Sequence, residues 1–185
     1  MQLGGVLGQA IDASRRGRLS RFIVDEASPP VALFAPAHRN ANLEGDWYGE
    51  HAGKWLIAAA RAAAHAPDAA LAARVRRVAE YLIGQQEADG YLGTYARERR
   101  FTLRQPPRPG SAGDPQGLPT WDGAPAQRTW DIWVHAYLVL GLLEVHKRFG
   151  HRPSLDAARR IGDLCWHTLN GGGIDITELG NHHGL

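Results

Sequence analysis

With 185 residues, 44% of them hydrophobic and 22% charged, the chain carries enough apolar mass for one packed domain and lies far from the composition of disordered polymers. Its formal charge is +2, with Arg and Lys spread along the chain, which argues against nucleic acid as a partner. A single cysteine, Cys165, excludes an internal disulfide, no basic and apolar leader opens the chain, and "IWVHAYLVLGLLEV" falls short of the roughly 18 residues of a membrane span, so a cytoplasmic protein without membrane partners is expected.

Residues 1–44 mix Gly, Pro and short apolar patches such as "RFIV" and "PVALFAP" without a helical period. They read as an irregular lead-in that packs on the outside of the fold. A first helix is expected over about residues 48–65 and ends at "APD", where Pro67 cannot continue it and Asp68 can cap the next. The second, over about residues 69–88, carries Leu71, Val75, Val78 and Leu82 on one face, with Arg74, Arg76, Arg77 and Glu80 among them.

A long connection follows. It begins with "DGYLGTY" and contains the 27-residue Pro- and Gly-rich stretch "LRQPPRPGSAGDPQGLPTWDGAPAQRT", whose length suggests a lid, a binding loop or disorder. The third helix, over about residues 129–149, is apolar almost all round and is therefore expected to be buried on more than one side. Gly150 and Pro153 stop it. The fourth, over about residues 154–169, is one-sided again, with Leu155, Ala158, Ile161 and Cys165 opposite Asp156, Arg159, Arg160 and Asp163.

The helices thus alternate inner, outer, inner, outer, as two hairpins of the kind that stack into α/α toroids and helical solenoids. In such a stack every outer-to-inner connection shares one end with the N-termini of the inner helices. "GDWYGEH", "DGYLGTY", "RTWDIWVH" and "GNHHGL" are therefore expected on one rim, where helix N-termini favour oxygen-rich ligands.

Each rim residue has a plain reading and a functional one. Glu50 suits a helix first turn on dipole grounds alone, but Trp47, Tyr48 and Trp55 beside Glu50 and His51 make a surface suited to sugar rings. His135, between Trp133 and Tyr137, reads either as a hydrogen-bonded core histidine or as the floor of a cleft. "NHHGL" lacks companions at ligand spacing, so no metal is expected in this chain, and Cys165 reads as buried rather than reactive.

"WYGEHAGKWLIAAA", "LIGQQEADGYLGTY", "WVHAYLVLGLLEVHKRFG" and "ARRIGDL", in this order and spacing, resemble the N-terminal part of the glycoside hydrolase family 127 catalytic domain. The resemblance implies an all-α (α/α)6 toroid, here an incomplete barrel of about two helical hairpins, with residues 45–185 forming part of the catalytic domain. It implies an arabinofuranoside-like carbohydrate substrate, and zinc for the full-length enzyme, whose zinc-bound cysteine nucleophile has no counterpart here. His135 and one of His182 or His183, preferably His183, would contact the sugar, and Glu50, His51, Tyr91 and Trp130 would complete the substrate-binding set. His51 stands where the family pattern has an acidic residue. No catalytic residue is assigned, and a partial barrel is expected to be inactive alone and to self-associate.

Two other readings accompany this one. "QEADGYL" echoes the turns of terpene cyclase barrels, although no second copy and no D-x-D-D stretch occurs. A non-catalytic helical-repeat binding module is the third.

Overall fold

The computed structural model describes residues 4–41, 49–101 and 130–172. Among these, every regular element is helical. The two expected hairpins are α5 (Glu50–His65) with α6 (Ala69–Gly84), and α7 (Asp131–Phe149) with α8 (Arg152–Trp166).

Local chemistry sets the hairpin turns. After the alanine-rich run of α5, Asp68 caps α6 by accepting the Leu71 N–H at 3.0 Å. Gly150 ends α7 in the left-handed region at φ 65°, where its N–H reaches the His146 carbonyl at 2.8 Å.

The core lies between the inner helices α5 and α7, which share the broadest helix contact. They run parallel. Gly53 faces the Tyr137 and Leu138 backbone, Gly141 faces the Gly53 carbonyl and Leu56, and further along Arg61 meets Glu144 at 2.8 Å. A Cβ on Gly53 would lie 2.4 Å from the Tyr137 carbonyl, so the crossing depends on that missing carbon. Leu56, Leu138 and Leu142 are wholly buried there, each worth roughly 1.5–3 kcal/mol of transfer free energy. On the outer side α6 contributes Leu71, Val75, Val78 and Leu82 as expected, while α8 contributes Ala157, Ala158, Ile161 and Cys165.

One expectation needs correction. The lead-in is helical rather than irregular, with α1 (Gly5–Ser14), a wider-turned segment Arg15–Leu19, α2 (Ser20–Phe22), α3 (Pro29–Ala32) and α4 (Pro36–Ala41). No residue of α1 is buried, so it needs no apolar stripe, and the later helices are too short to show a period. Leu19, Ile23, Val31 and Phe34 nevertheless join the common core.

Helix α7 is buried on more than one side, against α5 and α8, as expected, but its apolar circumference is not covered all round. Leu140 is 50% and Leu143 37% exposed, near half-buried Trp133, Tyr137 and Glu144. Apolar composition counts the residues around a helix and does not say which of them have neighbours.

Candidate functional site

Because α5 and α7 are parallel, their N-termini meet at one end, and the segment after α6 closes over them. That segment opens with a turn in which the Glu87 N–H bonds the Tyr91 carbonyl at 2.9 Å and the Asp89 carboxylate accepts the Tyr91 N–H at 3.0 Å. Gly90 holds φ 96°, and a Cβ there would lie 2.3 Å from the Arg160 carbonyl, so the turn is pressed onto α8. Tyr91, Leu92, Thr94 and Tyr95 consequently enter the interior and are fully buried.

Tyr91 and His135 come together there, their rings edge to face at 5.1 Å. The Tyr91 hydroxyl donates to Asp131 Oδ1 at 2.7 Å, and Asp131 Oδ2 accepts the Phe101 N–H at 2.7 Å. His135 Nε2 accepts the Leu92 N–H at 3.2 Å, so the ring proton sits on Nδ1 and is donated to the Asp131 carbonyl at 2.7 Å. Burial holds the His135 pKa below its ordinary value and, together with Asp131, drives the Tyr91 phenol well above its own. This layer is sealed, neutral at its imidazole and internally satisfied.

A second layer is open. Glu50 is buried, its Oε1 lying 3.2 Å from His51 Nδ1 and 3.8 Å from Lys54 Nζ, while the His51 side chain is 46% exposed. Lys54 lies over two rings of α7, 4.6 Å from the centre of Tyr137 and 5.4 Å from that of Trp133. Trp130 is buried, edge-on to Trp133 at 6.2 Å, and its backbone N–H donates to the Tyr95 hydroxyl at 3.1 Å. His182, His183, Trp47, Tyr48 and Trp121 fall outside the described residues.

The sequence reading missed Lys54, Trp133 and Tyr137 as one unit. The i, i+4 spacing of the two aromatics was the available signal, since it stacks them on one helix face. It also missed the ionic buttress behind the sealed layer. Arg39 of α4 is buried, donates to the Phe34 carbonyl at 2.8 Å and meets Glu87 at 2.7 Å. Glu87 is also gripped by Arg100, whose guanidinium lies 3.6 Å from the Tyr91 ring centre. The Arg100 hydrogen bonds above all, with Arg39 charge in support, hold the Glu87 carboxyl at about 2.

Among the described residues no cluster of three His, Cys, Asp or Glu side chains could hold a metal ion, and burial pushes the Cys165 thiol up to about 11, away from thiolate chemistry. Zinc therefore does not fit the described residues. No described helix is long and apolar enough to cross a membrane.

A family model, the β-L-arabinofuranosidase GH127 catalytic domain, matches residues 10–175. Among solved structures, a GH127 β-arabinofuranosidase superposes with a TM-score of 0.59 at 20% identity, covering 90% of this chain and 25% of its own. The GH127 β-L-arabinofuranosidase Ara127N from Geobacillus stearothermophilus T6 gives 0.63 at 20% identity, covering 89% of this chain and 25% of its own. At that identity the likeness is one of fold. The chain thus spans about a quarter of these structures' length. No curated protein matches it in sequence.

Proposed function

Since the chain belongs to the GH127 β-L-arabinofuranosidase catalytic-domain family, we propose that it forms one wall of the sugar cleft of a glycosidase acting on arabinofuranoside-like substrates. The observation that carries this reading is the open layer at the shared N-terminal end of α5 and α7. There the Trp133 and Tyr137 rings offer faces for the C–H side of a sugar, and His51, Lys54 and Glu50 offer donors and acceptors for its hydroxyls. Tyr91 and His135 act as positioning residues, because their polar atoms are engaged inside the protein. Trp130 backs Trp133, and His183 joins the sugar contacts from outside the described residues.

Glycosidic bond cleavage needs a nucleophile or a paired acid and base at the anomeric carbon. We assign none among the described residues, and zinc belongs to this reading only through parts of the family domain that the chain does not span. The chain by itself is therefore expected to bind and not to hydrolyse.

The test is a titration of the 185-residue chain with methyl β-L-arabinofuranoside, followed by tryptophan fluorescence and NMR. Binding in the millimolar range that Trp133→Ala weakens about tenfold or more supports the reading, a typical size for loss of a stacking face. Unchanged spectra, or unchanged affinity in the variant, would overturn it.

A further inference from the structure

A pocket of about 340 Å³ opens beside this wall, between the lead-in and the first half of α5, lined by Arg18, Leu19, Phe22, His51, Lys54, Trp55 and Ala58. Its volume is at the lower end of the roughly 300–1,000 Å³ typical of small-ligand sites, enough for one or two sugar rings. Three of its lining residues are basic and none is acidic.

The nearest carboxylate is Glu50, and it is already engaged. It lies buried behind the lining with His51 at 3.2 Å and Lys54 at 3.8 Å, so it offsets about one positive charge. Arg18 is exposed, and no ion pair or side-chain hydrogen bond holds its guanidinium among the described residues. The floor is apolar, because Trp55 is buried and commits its indole N–H to the Leu19 carbonyl at 2.9 Å. Phe22, 42% exposed, stands 6.0 Å from the His51 ring and supplies a face at the mouth.

The next pocket along α5 makes a contrast. It is about 280 Å³ and is lined by Ile11, Ser14, Leu19 and the α5 residues Ala58, Arg61, Ala62 and His65. There the arginine is neutralised by Glu144 at 2.8 Å. Of these two pockets, the one that shares His51 and Lys54 with the sugar wall carries the unbalanced cation.

We propose that this pocket receives an acidic sugar, a hexuronate unit, with its carboxylate on Arg18 and Lys54 and its ring against Phe22. A planar guanidinium matches a carboxylate through two parallel N–H donors, and the aromatic face takes the C–H side of the pyranose. The substrate class then becomes an arabinofuranoside attached to, or beside, a uronate-bearing glycan. This inference rests on the sugar-wall reading above for its position, but not for its chemistry.

The experiment compares glucuronate, glucose and acetate as ligands of the 185-residue chain at pH 7 by NMR, in wild type, Arg18→Ala and Lys54→Met. Glucuronate is expected to bind about tenfold more tightly than glucose, acetate to bind no better than glucose, and Arg18→Ala to erase the tenfold advantage. Arg18 is exposed, so its variant should keep the wild-type circular dichroism and melting temperature. Equal binding of glucuronate and glucose, or an advantage unaffected by Arg18→Ala, would refute the acidic-sugar site. Acetate as effective as glucuronate would reduce the pocket to a general anion site and equally overturn it. Methyl β-L-arabinofuranoside with the wild-type chain separates the two readings. No binding of it while glucuronate keeps its advantage over glucose sinks the sugar wall alone, and binding of it without a glucuronate advantage sinks only the acidic pocket.

Discussion

His135 accepts the Leu92 backbone N–H at 3.2 Å, joining an inner helix to a buried connection 43 residues earlier in the chain. That bond fixes the tautomer and leaves the imidazole neutral in a fully buried site. Replacement by Ala would strand the Leu92 N–H and open a cavity, and should lower stability by about 2–4 kcal/mol in urea denaturation.

The same group gives a pH signature. Its folded pKa is depressed from the ordinary 6.5, so the unfolded chain binds the proton more readily. The contribution is complete above pH 6.5 and is lost as pH falls below it. His135→Gln should flatten the stability profile below about pH 6.5. An unchanged slope would show that the imidazole titrates freely in the folded protein.

Glu87 titrates further down. Its carboxyl is depressed from 4.5 to about 2, so its contribution is present above pH 4.5 and disappears as pH falls towards 2. Glu87→Gln should be less stable than wild type at neutral pH and converge with it in strong acid. Parallel melting curves for the two proteins across that range would remove the ionic buttress from the account.

The helix crossing can be tested with one methyl group. Gly53→Ala would place its Cβ against backbone rather than a movable side chain, and should cost about 3 kcal/mol or more. Gly162→Ala in α8 meets nothing within 4 Å and should instead stabilise by roughly 0.5–1 kcal/mol. Similar effects at both positions would contradict the close approach of α5 and α7.

We propose that the lead-in and the hairpins unfold as one unit. Trp55 holds the Leu19 carbonyl, Arg15 meets Asp68 at 2.8 Å, and buried Arg39 meets Glu87. Arg39→Met leaves Glu87 with less partner charge and should increase cleavage within residues 1–41 under limited proteolysis. If cleavage there is already complete in wild type while residues 49–101 stay intact, the lead-in is a separate unit.

Exposed Leu140 and Leu143 on α7 support a proposal that copies of this chain associate through that face. Sedimentation should show a concentration-dependent larger species, reduced in Leu140→Asp. A wild-type monomer at all concentrations would end the proposal.

Much of this architecture was legible in the residues. The four long helices, their alternating roles and the cap at Asp68 follow from spacing, Pro and Gly, because helical periodicity and terminal hydrogen bonding are local properties. The gathering of Glu50, Tyr91 and His135 at one end also follows, since alternation of direction is set by chain connectivity.

What the tertiary structure alone decided is which of these groups meet solvent. Tyr91 and His135 share the rim with His51 and Lys54, yet the first pair is sealed and the second open. The cause is the turn at Gly90, pinned by contact with Arg160 of α8 and by the grip of Arg39 and Arg100 on Glu87, which drives Tyr91 and Leu92 inward. Burial depends on partners 13 to 70 residues away along the chain, and no local pattern of side chains encodes which of two neighbouring polar groups those partners will cover.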